Sequence, residues 1–470
     1  MNIQTLFHSV GTCSSSTMNT GLFVSVIALM GLFAAHVNDA NAENVDDVLY
    51  QRFCVEQQPL IVNTFRDDEE SYMGCTEDHC TLREAINTAN LCTGGLAAKV
   101  VLAPGTYVLN RKEDVVGAQY NGYSGLIIRG RVEIIGNKSI IARDSTEHFR
   151  IFEILDNAYL KAKNLTIRYG YSDDYGGGIF SRGELHLIRS VLAVNRARYA
   201  GAIYNSGGYL KLVESSVDAN VADFGVGGIW SNFGTAILVR SSVTSNRAPS
   251  VGAILLYGGS TTIKSSTIAE NEGANRFGGI FTNGGLLVLK DSTIYRNSAY
   301  GCWNCEDTGA AGGLALLSNA VISNTVIAEN FPKNCTSDLD EGLDIVWNFL
   351  SRGTSMASDT TCEVHPSFTR VSSQVMLGDR EYSTSFFGIG YRPSPGSPLI
   401  DAGEACITYD QFRQIRPLDG DGDGIKECDI GAVEYNSSDY ATYKESILNP
   451  PALDCIIGFN CNGTSPGEKL

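Results

Sequence analysis

Apolar and polar positions keep a fixed register through the middle of the chain. Asparagine recurs at Asn195, Asn220, Asn246, Asn271, Asn297 and Asn330, with Gly170 one unit earlier. The period is about 25 residues, with one longer step before the last asparagine. Five positions before them stand Ser190, Ser215, Ser241, Ser266, Ser292 and Thr325, and three before them Leu192, Val217, Val243, Ile268, Ile294 and Ile327. A second block recurs as Gly178-Ile179, Ala202-Ile203, Gly228-Ile229, Ala253-Ile254, Gly279-Ile280 and Gly313-Leu314. Columns that hold their place over six units describe one supersecondary element stacked on itself. The pattern is that of a solenoid.

Within a unit the period is two. Leu210 to Val217 alternates apolar and polar residues after a Gly-Gly turn, and Leu287 to Ile294 does the same. No unit offers the i, i+3, i+4 run that a helix needs, so helical and leucine-rich repeats fit poorly. The fold class is therefore all-β, a parallel β-helix with one rung per unit. Rungs lie about 4.8 Å apart, so equivalent side chains stack in files. Aliphatic files form the interior, asparagines satisfy backbone groups at the bends, and glycines permit tight corners. Shorter units begin near Val100, Leu126, Val132 and Ser139. Residues 98–335 then hold about nine rungs, a rod of about 45 Å. The open ends of such a rod call for caps.

The two ends carry specific motifs. Cys80-Thr-Leu-Arg-Glu-Ala-Ile86 precedes Asn87-Thr-Ala-Asn90, and Leu82, Ala85, Ile86 and Ala89 fall on one face of a short helix. That helix is expected to cover the first rung. Arg83 and Glu84 are neighbours and do not face each other on a helix, so they make a poor site pair. Near the other end lie Ser397-Pro-Leu-Ile-Asp-Ala-Gly403, Arg416-Pro417, Asp419-Gly-Asp-Gly-Asp-Gly424 and Cys428-Asp-Ile-Gly-Ala-Val-Glu-Tyr435. The first motif resembles that of the CSLREAI-domain proteins, with Thr81 in place of the serine. The second set resembles the choice-of-anchor Q region, and the middle is similar to the right-handed parallel β-helix these proteins share. The resemblance covers residues 60–435 and implies an exported bacterial surface or secreted protein. It brings no reaction and no catalytic residue.

Composition agrees with export. Residues 21–35 form an apolar segment and Ala40-Asn-Ala42 a small-x-small cleavage pattern, although no Lys or Arg precedes Arg52. The expected organisation is a signal peptide over 1–42, an N-terminal cap region over 43–97 and a β-helix over 98–335. An irregular C-terminal region then covers 336–435 and a polar tail 436–470. Cleavage removes one of 13 cysteines, Cys13, and leaves an even number, as disulfides in an oxidising compartment require. Short separations favour Cys75–Cys80, Cys302–Cys305, Cys335–Cys362, Cys406–Cys428 and Cys455–Cys461, leaving Cys54 with Cys92. The C-x-x-C at Cys302 lies in a rung insertion without βαβ context, so a structural loop is expected there rather than a redox site. A net charge of −17 argues against nucleic-acid partners and anionic membranes. No later apolar run is long enough to span a bilayer, and a monomer is expected.

Three features could carry function. Asp419, Asp421 and Asp423 occupy positions 1, 3 and 5 of a calcium-loop pattern, with Gly424 at position 6. Ile430 stands where an EF-hand needs Glu, so Asp429 or Glu427 would have to complete a structural Ca²⁺ site. The residues after each repeated Ile (Phe180, Tyr204, Trp230, Leu255 and Phe281) point outward as a ladder that could serve as a binding platform, but loops such as 171–175 or 220–225 are expected to fold over and bury them. Asp173, Asp174, Asp218 and Asp223 lie on neighbouring rungs with Arg196 and Arg198, the one cluster suited to a polysaccharide lyase or hydrolase. The favoured expectation is a scaffold that binds an extracellular glycan or protein surface, with the carbohydrate-active enzyme as the alternative.

Overall fold

The structure is a computed structural model that describes residues 45–67, 75–76, 78–113, 122–300, 309–336, 355–362, 370–372, 374–383 and 388–437. The expected signal peptide, Cys302–Cys305, Cys455–Cys461 and the polar tail beyond residue 437 lie outside the described residues. Between Leu60 and Val371 the described residues wind as a parallel β-helix of about eight turns.

One rung shows how the sequence builds the coil. Its four strands are Ile203–Ser206, Tyr209–Val213, Ser216–Asp218 and Val221–Ala222. Stacked with their equivalents, they form the first, second, third and fourth walls of the rod. Each strand pairs in parallel with the like residues of the next rung, as Ile203 with Ile229, Tyr209 with Thr235, Ser216 with Ser242 and Val221 with Arg247. Ile203, Leu210, Leu212 and Val217 all point inward at 0 % exposure. Their files run the length of the coil and make its dry core.

The corners explain the polar columns. Between the second and third walls Glu214 takes a φ of 52°, and between the third and fourth Ala219 takes 53°. The same left-handed conformation recurs at Arg240, Ser265 and Asp291, and at Ser245, Glu270 and Arg296. A side chain held there costs roughly 1 kcal/mol, so the bend must be secured from elsewhere. Asparagine does this. The Asn220 backbone N–H and side-chain amide both donate to Asn246 Oδ1 at 3.0 and 2.9 Å, and the amide also reaches Leu192 O and Asp218 O. Serines stack likewise at the preceding corner, the Ser215 N–H donating to Ser241 Oγ at 3.2 Å.

At the N-terminal end the helix Leu82–Ala89 closes the coil. Ala85, Ile86 and Ala89 are fully buried, and Leu82 nearly so. Thr81 and Glu84 form a reciprocal capping box. Arg83 turns away from Glu84 and grips both carboxylate oxygens of Asp67, at 2.7 and 2.6 Å. The disulfides Cys54–Cys92 and Cys75–Cys80 fix the segment around strand Leu60–Val62, which pairs with Ala98–Leu102. The motif at Cys80–Ile86 is thus a cap.

Beyond Arg370–Val371 the chain turns back. Leu377–Tyr382 and Ile389–Pro393 form an antiparallel hairpin, and the segment that follows runs through loops to Tyr435. This strap lies along the outer face of the third wall. Ile389 N–H bonds Ser242 Oγ, Thr267 bonds Gln411 at 2.6 Å, and Ala432 N–H bonds Thr293 Oγ1. Apolar contact joins Ala269, Tyr295 and Val326 of the wall to Ile389, Tyr391, Leu399 and Ile430 of the strap. The third-wall strands are consequently buried on both faces. Cys335–Cys362 and Cys406–Cys428 secure this end.

Candidate functional site

The strap is held by charges that have left water. Glu214, at the second corner, receives Arg413 through two bonds of 2.7 and 2.6 Å, and also Arg189 and Arg240. Burial opposes its ionisation, but the hydrogen bonds from Arg413 and Arg189 hold the carboxyl below its ordinary value. Arg416, fully buried, places Nε 2.9 Å from Glu434 and Nη1 3.6 Å from Asp291 of the wall. Glu434 Oε1 accepts the Asp429 N–H, and Asp410 accepts the Glu434 N–H. Burial pushes Asp429 up to about 7 and Glu434 up to about 8, each raised further by nearby carboxylates. Arg416 and the 428–435 motif therefore serve docking.

The acidic loop is built beside this anchor. Carboxylate oxygens of Asp401, Asp419 and Asp421 lie within 4.8 Å of one another. Asp401 accepts N–H groups from Gly420 and Asp421, while Asp419 accepts those of Gly422 and Gly424. Burial raises the Asp401 carboxyl despite those bonds, and the charges of Asp421 and Asp419 add to the effect. Asp423 bonds the Ile425 N–H in its own turn. Asp429 sits behind the loop, accepting the Asp401 N–H at 2.9 Å. Of the four residues singled out by spacing, the structure thus gathers Asp419 and Asp421, and adds Asp401. Asp401 comes from well upstream of the acidic run, and no local spacing points to it.

The acid–base cluster divides between walls. Asp218 lies on the third wall under the strap, taking Thr244 Oγ1 at 2.6 Å and Arg380 at 3.4 Å. The other members lie along the fourth wall and its loops. Asp173 holds His148 Nδ1 at 2.7 Å, and the His148 ring stacks on Tyr171 at 3.8 Å. Arg196 pairs with Asp223 at 2.7 Å and lies over Tyr171. Arg198 lies over Tyr199 and Phe224. Asp174 faces the charges of Arg150 and Arg198, yet burial raises its carboxyl. His148 is the member that sequence reasoning missed; it stands one repeat before Asp173, which is the signal that could have found it. Exposed ion pairs of this kind contribute about 0–1 kcal/mol each.

The ladder on the first wall is largely covered. Phe180 and Tyr204 are buried, and Tyr175 stacks on Tyr204 at 4.3 Å and on Tyr199 at 4.9 Å. Trp230, Leu255 and Phe281 pack under Val226, Val251 and Phe277. The loops do fold over these rings.

Two walls keep an open outer face, and the second wall is the wider, with five-residue strands against two in the fourth. Its strands alternate buried and half-exposed residues in every rung from Ala98–Leu102 to Asn319–Ser323. Half-exposed on this wall, Tyr159 meets His186 edge to face at 5.3 Å, and His186 meets Tyr209 at a tilt at 5.5 Å, across successive rungs. No family model, curated protein or solved structure matches the chain. Among the described residues no helix is long and apolar enough to cross a membrane.

Proposed function

We propose that this chain is an exported β-helix scaffold that binds an extracellular glycan or protein surface without transforming it. The observation that carries this is the contrast between walls. The third is sealed by the strap and the first is covered by loops, whereas the second presents a broad, regular outer face with aromatic rings. The disulfides, together with the apolar segment at 21–35, support export. Kinship with CSLREAI-domain and choice-of-anchor Q proteins belongs to the same proposal, as does a structural calcium ion held by Asp401, Asp419 and Asp421.

The enzyme reading draws on His148, Asp173, Asp174 and Arg196, which share one wall. Against it, Asp173 is already bonded to His148 and Asp223 to Arg196, and Asp218 lies elsewhere. Incubation with a glycan array separates the two. Retention without released product is expected. Depolymerisation of an acidic polysaccharide that disappears in Asp173→Asn/Asp174→Asn would replace the scaffold by an enzyme.

A further inference from the structure

The charge of the second wall opposes that of the chain. In the five rungs from Ala98–Leu102 to Tyr209–Val213 its outward positions carry Lys99, Arg131, Lys161, Lys163 and Lys211, against Glu133 and Glu184. The whole chain has a net charge of −17. Cations have been collected on one face while acids dominate overall. Register fixes the pattern: Lys161, His186 and Lys211 occupy one file, and Tyr159, Glu184 and Tyr209 the next. Glu133 gathers Lys161 at 3.4 Å and Lys163 at 2.5 Å, which keeps both amines on the sheet while leaving the side chains 26 % and 32 % exposed. Arg131 lies over the Tyr159 ring at 4.4 Å.

We propose that this face is a track for an acidic polysaccharide lying along the rod axis, with the five cations meeting its anionic groups and Tyr159 and Tyr209 its sugar faces. The inference rests on the scaffold reading and names the ligand class for it. Charge density selects the ligand. Five rungs span about 19 Å, so the track's excess of three cations is about one per 6 Å. Duplex DNA carries one charge per about 1.7 Å and would be poorly matched, whereas a chain with one acid per sugar carries its charges far more sparsely and comes closer to the density of the track. The strands are also only about 16 Å wide, room for one extended chain.

The test measures binding of the full chain to polygalacturonate, dextran sulfate and neutral dextran at two salt concentrations. Acidic polymers should bind, more weakly at high salt, and neutral dextran should not. Stronger retention of polygalacturonate or of dextran sulfate tells a carboxylate ligand from a sulfate one. Lys161→Glu/Lys211→Glu should weaken binding about tenfold. Arg247→Glu/Arg276→Glu, with the same change in net charge, should leave it unaltered. Tyr159→Ala/Tyr209→Ala should weaken binding several-fold while keeping its salt dependence. All these side chains point outward, and unchanged thermal melts would verify folding. Equal losses in both charge-reversal pairs, or tighter binding of single-stranded DNA than of either acidic polysaccharide, would overturn the track. Retention of neutral glycans or proteins with no effect of these variants would also overturn it, and would leave the scaffold reading standing.

Discussion

Two buried carboxyl groups of the strap, Asp429 and Glu434, are residues whose ionisation bears directly on the assembly. Both are enclosed with Arg416, and burial raises both far above their ordinary values, to about 7 and about 8. The folded chain therefore holds their protons more tightly than the unfolded chain does. Their contribution to stability is complete below about pH 4, declines as the pH rises, and is lost above the folded values, with a slope of about 1.4 kcal/mol per pH unit for each proton involved. Glu434→Gln keeps an acceptor for the Asp429 N–H and removes one titrating group. Thermal melts between pH 5 and 8.5 should show the parent losing stability with a steeper slope than the variant. Parallel slopes would show that this pair does not couple the strap to protons. Uncharged polar residues play a different part, because each corner asparagine donates and accepts within the stack and needs no counter-ion.

At the scale of elements, legibility follows from repetition. The files of Asn195 to Asn330 and Ile179 to Leu314 stand out because stacked strands place like beside like, so the periodic part of the fold is open to inspection in the sequence. The capping helix is legible for a different reason, since Thr81, Glu84 and four apolar positions on one face satisfy local rules. The strap obeys neither rule. Its grip on the third wall depends on pairs such as Glu214 with Arg413, 199 residues apart, which no window can reveal. One trace exists: the outward file Ser216, Ser242, Thr267 and Thr293 is small and uncharged where a solvent-facing wall would carry charge. The acidic loop is legible in Asp419 and Asp421 but not in Asp401, which comes from another turn. If the three hold calcium, millimolar calcium should raise the melting temperature relative to EGTA, and Asp401→Asn should reduce the difference. Coincident melts in the two buffers would discard the ion.

As a whole molecule the coil is a one-dimensional stack, in which each rung touches only its neighbours and ends open most readily. The strap breaks that rule. It bonds Glu214, Ser242, Thr267, Thr293 and Asn324, which belong to five successive rungs. A member fastened to five consecutive floors of a tower acts as a splint, since none of those floors can loosen without tearing its own attachment. Amides under the splint should then exchange with solvent through one shared opening, while those of the rungs before Arg150 open in smaller, separate steps. Hydrogen exchange by mass spectrometry would read this directly, and a smooth gradient across all rungs would deny the splint any mechanical role. Should it hold, force applied along the rod would be borne over those five rungs by two parallel members rather than one.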